Sequence, residues 1–163
     1  MCQTRAKSKA AAAQVMAGFG RVDALVNNAG VADSGAIVNI ASNSGLRAST
    51  LRLAYGTSKA APIHMTKQHA VELGNVGVRV NVIAPGPVKT EMAKMVHTPA
   101  IRADQYDTIP HGRHCTPEEM ADAVVFFCSD NASFINGQVI AVDGGFDAAG
   151  VGLPTLRRSS IAE

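Results

Sequence analysis

At 163 residues, 47% of them hydrophobic and 17% charged, the chain is long enough for one core and too apolar for a disordered segment. Its net charge is +2 and its fifteen Lys and Arg residues are scattered, which excludes the basic stripe of a nucleic-acid binder. No run approaches the ~18 apolar residues of a membrane span, and Cys2, Cys115 and Cys128 show neither CxxC spacing nor a disulfide framework, so a reducing, cytoplasmic location is expected.

The opening MCQTRAKSKAAAAQVMAG has the charged-then-apolar order of a signal peptide, but its apolar run is mostly alanine with Gln14 inside it. Ala6, Ala10, Ala13 and Ala17 recur at helical spacing and Gly18 and Gly20 follow, which predicts a helix with a small-residue face. VDALVNN and GAIVNIAS then read as two buried strands, both internal to a sheet. From Tyr55 to about Leu73, Ala60, Ile63, Ala70 and Leu73 fit a helix that Gly74 and Gly77 end.

VRVNVIAP is a third strand, closed by Pro85. At TPEEM, Thr116 can cap, Pro117 suits the first helical position and Glu119 completes a capping box for a helix carrying Ala123, Val124 and Phe127. GQVIAVDGG is the fourth strand. Strands alternating with helices predict an α/β domain with a largely parallel sheet over residues 1–149. Residues 150–163 have little periodicity and read as a mobile or partner-seeking tail.

Tyr55 and Lys59 stand four apart at the start of a helix, so their side chains share a face. An ammonium within a few ångströms of a phenol favours phenolate, the state that can exchange a proton with an alcohol or carbonyl at neutral pH. Ser42 ends a strand and would project from the carboxyl edge of the sheet, where open α/β domains bind ligands. Each piece alone is commonplace: a Tyr and Lys pair at this spacing is more often a solvated helix face. The combination carries the weight.

Ser42, then Tyr55 and Lys59, with NNAG at residues 27–30, RVNVIAPG, PGPVKT at residues 85–90 and the closing VDGG, resembles the short-chain dehydrogenase/reductase family over about residues 4–149. The resemblance implies an incomplete Rossmann-like, doubly wound sheet with about four strands retained. It implies NAD or NADP as cofactor and hydride transfer between the nicotinamide and a small secondary alcohol or ketone. Tyr55 would be the catalytic acid/base, Lys59 would hold the nicotinamide ribose, and Ser42 would bind the substrate oxygen. Asn27, Ala29 and Gly30 would sit beside the adenosine side of the cofactor, and Pro85, Gly86, Val88 and Thr90 would frame the nicotinamide carboxamide. EMAKMVHTPAIRADQYD falls where the family has its mobile substrate lid.

The chain departs from the family in three places. The glycine-rich turn that opens the family fold and receives the pyrophosphate is missing; GFGRVD follows a helix and precedes a strand, the reverse of the required order. The residue that separates NAD from NADP is missing with it. Between NNAG and the serine strand the family has a long helix, which supplies an asparagine to the proton relay and much of a dimer interface; here residues 31–35 supply only a short link.

A parallel crossover needs at least ~10 to 12 residues, so either the flanking strands stay parallel with frayed ends or they pair as an antiparallel hairpin. Frayed parallel strands are expected, because the hairpin would reverse a strand and displace Ser42. His111, His114 and Cys115 in HGRHC lack a second ligand pair and are not read as a metal site; His64 and His69, five apart on the long helix, are given surface or packing roles. The expected activity is that of an NAD(P)-dependent oxidoreductase, weak or absent in this fragment. The alternative is a noncatalytic remnant or an oligomer-contact subunit, and a homo-oligomer is left open as a partner state.

Overall fold

Among the residues that the computed structural model describes, 26–28, 35–150 and 153–155, the most buried run is VRVNVIAP. Val80, Val82, Ile83 and Ala84 are fully buried, as expected of a strand covered on both faces. This strand, β3 (Val78–Pro85), lies between β2 (Gly35–Ile40) and β4 (Val139–Val142), parallel to both, and β1 (Val26–Asn28) completes the order β1-β2-β3-β4. The fold is α/β with a parallel sheet of three strands and one reversed edge strand. The expected opening helix, the 29–34 link and most of the tail lie outside the described residues.

Helices cover both faces. Val38 on β2 clusters with Ile83, Phe127 and Ala132, against Met120, Ala123 and Val124 of the later helix. The next residue, Asn39, donates its side-chain amide to Thr66 Oγ1 at 2.9 Å on the earlier, long helix. Successive strand side chains point to opposite faces, so the two helices flank the sheet. The long helix, α1 (Leu53–Leu73), starts two residues before the expected Tyr55, and its buried residues are Thr66 and Ala70. Thr66 Oγ1 also donates to the Pro62 carbonyl at 2.8 Å. Gly77, at φ 77°, takes the left-handed conformation that ends the following turn, Gly74–Val76.

Two short helices, α2 (Glu91–Val96) and α3 (Pro99–Thr108), occupy the expected lid segment, each capped by a threonine side chain, Thr90 and Thr98. α4 (Pro117–Cys128) begins with the capping box read from TPEEM: Glu119 N–H donates to Thr116 Oγ1 at 3.3 Å and Thr116 N–H to Glu119 Oε2 at 2.9 Å. Buried Asn81 is satisfied too, donating to the Ile135 carbonyl at 2.8 Å and accepting from Gln138 N–H at 3.0 Å.

The expectation of frayed parallel strands on either side of the 29–34 link is overturned. β1 pairs with β2 antiparallel, Val26 opposite Val38 and Asn28 opposite Ala36. The reason is connection length: residues 29–34 cannot span the ~10 to 12 residues of a parallel crossover but suffice for a hairpin. Among the described residues β1 therefore stands at the edge of the sheet, not inside it, and the reversed member is β1 alone. β2 keeps its parallel register with β3 up to Ile40 opposite Ile83, so the feared displacement of Ser42 does not occur.

Candidate active site

β2 and β3 end side by side. Ala41 N–H donates to the Ile83 carbonyl at 2.8 Å, so Ser42 and Pro85 leave adjacent strands at the same carboxyl edge. Ser42 is buried, 7% exposed. It caps the one-turn helix Asn43–Gly45, its Oγ accepting from Ser44 N–H at 3.2 Å and donating to Asn43 Oδ1 at 3.3 Å.

That serine turn is seated on α1. A Cβ added to Gly45 would lie 2.5 Å from the Lys59 carbonyl oxygen, and one added to Gly56 would lie 2.9 Å from the Ser44 carbonyl oxygen. Two glycines therefore let the backbone carrying Ser42 touch the helical turn carrying Tyr55 and Lys59. On that turn Lys59 Nζ lies 5.8 Å from the centre of the Tyr55 ring, and the Arg52 guanidinium carbon lies 5.4 Å from it. Tyr55 is 41% exposed.

The PGPVKT loop flanks the same edge. Gly86 N–H donates to the Val142 carbonyl at 3.0 Å, and a Cβ at Gly86 would lie 2.8 Å from Asp143 Cα. Val88 forms a parallel bridge with Cys115. Thr90 Oγ1 accepts from Ala93 N–H at 3.1 Å as the α2 cap, which leaves its own hydroxyl hydrogen free to donate. Pro85, Gly86, Val88, Thr90, Ser42, Tyr55 and Lys59 thus share one end of the sheet. Asn27 does not join them: it pairs with Ile37, and β1 runs back toward the amino end of β2, about 16 Å of strand away from Ser42. Ala29 and Gly30 lie outside the described residues.

For a nicotinamide cofactor, the residues present fit one end and not the other. Thr90 and Lys59 offer a hydroxyl and an ammonium donor, while Gly86 lets the β3 exit pack closely on Asp143. Among the described residues no glycine-rich turn leads from a strand into a helix with G-x-G-x-x-G spacing to cradle a pyrophosphate.

Behind the loop, HGRHC forms a packed support. His114 is 3% exposed, with the Tyr106 ring centre at 4.8 Å and that of His97 at 6.3 Å, and among the described residues its Nε2 has no hydrogen-bond partner. Burial, then the neighbouring His97, Lys89 and Arg102, push its imidazole below the ordinary histidine range. Arg113 pairs with Glu119 through two N–H···O contacts of 2.6 and 2.8 Å, and that bond, then the one from Thr116 N–H, holds the Glu119 carboxyl down at about 2. Burial, and after it the Glu119 charge, pushes the Cys115 thiol up. A cavity of about 580 Å³ opens beside this support, lined by Arg113, Cys115, Glu119, Asp143 and Asp147 but not by Ser42, Tyr55 or Lys59. Arg47 links its wall to the serine turn by an ion pair with Asp147 at 2.7 Å.

Sequence reasoning missed Arg52, the Arg47–Asp147 pair and the His97–Tyr106–His114 cluster. The signal for Arg52 was in the text: it precedes Tyr55 by three, hence on the same helix face. The other two join distant segments and had no local signal.

Residues 31–147 match the family described as enoyl-(acyl carrier protein) reductase. Over 170 aligned residues, covering 81% of this chain and 69% of the relative, 33% are identical to the 3-oxoacyl-(acyl-carrier-protein) reductase FabG of Thermotoga maritima. The chain belongs to the short-chain dehydrogenase/reductase family. The FabG reductase of Chlamydia trachomatis is 43% identical over 114 residues, 70% of this chain and 46% of the relative. The gluconate 5-dehydrogenase of Burkholderia cenocepacia, solved with NADP and tartrate, superposes with a TM-score of 0.69 at 30% identity over 72% of this chain and 46% of that one. This member thus spans about half the length of several relatives it matches. Among its described residues, no helix is long and apolar enough to cross a membrane.

Proposed function

We propose that this family member is an NAD(P)-dependent oxidoreductase that interconverts a secondary alcohol and a ketone through Ser42, Tyr55 and Lys59. The observation that carries the reading is the backbone contact of Gly45 with Lys59, which seats the serine turn on the Tyr55 helix. The bound cofactor would supply or accept the hydride. Ser42 Oγ would hydrogen-bond the substrate oxygen, Tyr55 would exchange a proton with it, and Lys59 would hold the ribose hydroxyls and keep a positive charge beside Tyr55. Gly86 and Thr90 would border the nicotinamide. NADP bound to the Burkholderia neighbour supports a phosphorylated dinucleotide as readily as NAD.

The activity of these residues alone is proposed to be weak. Each charge-assisted hydrogen bond to a pyrophosphate is worth about 1.5 to 3 kcal/mol, so a few missing ones lower affinity by orders of magnitude. The second reading, a noncatalytic remnant, is favoured by the reversed β1, which carries Asn27 away from the site. A calorimetric titration of the 163-residue chain with NADH and NADPH separates the two. Saturable binding that is lost in Lys59→Ala, with turnover lost in Tyr55→Phe, supports the oxidoreductase. No heat up to millimolar cofactor supports the remnant.

A further inference from the structure

From residue 42 to residue 71 the chain contains Arg47, Arg52, Lys59 and Lys67 and not one Asp or Glu. This stretch forms the serine turn and most of α1, and Arg52 and Lys59 are the two of its cations that lie beside the Tyr55 ring. Arg47 is neutralised by Asp147. Arg52 is not: among the described residues its guanidinium takes part in no hydrogen bond or ion pair, and its one recorded side-chain interaction is the Tyr55 ring at 5.4 Å.

Helix stability does not explain an arginine at this position. Arg52 stands at the N-cap of α1, where Ser, Thr, Asp and Asn are preferred, and makes no side-chain capping bond. Its charge there opposes the positive end of the helix dipole. The backbone just before it is also unusual. Leu51, at φ 56° and 98% exposed, holds a left-handed conformation with no packing to repay it, and such strain in non-glycine residues clusters at ligand clamps.

We infer that Arg52 is a specificity-determining residue that binds a carboxylate on the substrate, so that the site takes an oxo acid or hydroxy acid in preference to a neutral ketone or alcohol. The inference rests on the oxidoreductase reading above and names its substrate class. Positions 52, 55 and 59 lie on one helix face, which divides the labour: Lys59 on the cofactor side of Tyr55, Arg52 on the other side, and the reacting oxygen between Ser42 and Tyr55. The guanidinium fork matches the two oxygens of a carboxylate. A single unpaired guanidinium matches its one negative charge; a phosphate dianion would call for further donors.

The test uses the 163-residue chain and binding, so that it does not depend on turnover. Acetoacetate and its neutral amide, which differ only in the charged group, are titrated while backbone amide resonances of residues 49–59 are followed by NMR. Acetoacetate is expected to bind about tenfold or more tightly than the amide, and Arg52→Gln to remove that preference, the loss of one charge-assisted hydrogen bond. Arg52→Lys should keep part of it. Equal binding of acid and amide, or undiminished acid binding by Arg52→Gln, overturns the inference, and inorganic phosphate competing more tightly than acetoacetate overturns the carboxylate assignment. NADH is titrated in parallel. Acid preference without cofactor binding keeps the Arg52 subsite and removes the oxidoreductase, whereas cofactor binding without acid preference does the reverse.

Discussion

Gly45 and Lys59 meet backbone to backbone: a Cβ on the glycine would stand 2.5 Å from the lysine carbonyl oxygen and 2.6 Å from its carbonyl carbon. The atoms in the way are main chain in the middle of a helix, so they cannot move aside as a side-chain tip would. Gly45→Ala should therefore push the serine turn off α1, at a cost of about 1 to 3 kcal/mol for an overpacked contact. Urea unfolding reads the cost. A second consequence is local: amide shifts should change at residues 42–46 and 56–60 and remain still in β4. An unchanged urea midpoint would show that the turn is not seated as described.

Gly86→Ala is the companion experiment on the other strand. Its Cβ would lie 2.6 Å from Asp143 Cβ and 2.8 Å from Asp143 Cα, where β3 and β4 leave the sheet. The expected result is a stability loss of about 1 to 3 kcal/mol and weaker cofactor binding, measured by urea unfolding and calorimetry on the same sample.

How much of this was legible in the sequence depends on how local the cause is. β3 was read to the residue, because Val78, Val80, Val82, Ile83 and Ala84 gather apolar, mostly β-branched side chains into one short stretch that Pro85 closes. The α4 capping box was read as well, because Thr116, Pro117 and Glu119 specify it within four positions. The direction of β1 was misread. Chain spacing downstream of Ser42 argued for a preserved parallel arrangement, but a loop of residues 29–34 obeys its own reach and not the spacing beyond it. At the site, Ser42, Tyr55 and Lys59 were legible as a combination. What seats them together, two glycines set against main-chain atoms, was not, since a glycine in the text does not say what approaches it.

Acid should loosen α4 before it loosens the sheet. The Glu119 carboxyl is held at about 2, against an ordinary 4.5, by its bond from Arg113 and then by that from Thr116 N–H. A folded-state value below the unfolded one means that the stabilisation is complete above pH 4.5 and is lost as the pH falls from there toward about 2. Arg113→Met should flatten that part of the stability profile, measured by circular dichroism during thermal unfolding at successive pH values. A profile identical to that of the parent chain would mean that the pair is not formed in solution.

His114 sets a second, milder pH threshold. Around its ring stand Tyr106, His97, Lys89 and Arg102, and the three besides the tyrosine act, after burial, to lower its value. When α3 lifts away, His114 regains the ordinary value of about 6.5. The packed arrangement is therefore undisturbed above about pH 6.5 and weakens as the pH falls from there through the lowered folded value. Amide-exchange protection in α3, corrected for intrinsic rates, should drop over that interval, and His114→Gln should remove the dependence. Direct titration of the His114 ring by NMR at or above about 6.5 would contradict the account.

The reversed β1 also bears on the order in which this chain assembles. Residue 26 finds its partner at 38, whereas β2 and β3 join residues 35 and 78, and β3 and β4 join 82 and 139. A hairpin of that span closes in ~1–10 μs, while the parallel pairings wait for far longer loops to close. The fully buried run from Val80 to Ala84 is thus among the last to be covered, and during that delay it is the segment most open to pairing with another molecule. Refolding yield will be governed by dilution more than by denaturant, because the competing reaction is second order in chain and the productive one is first order.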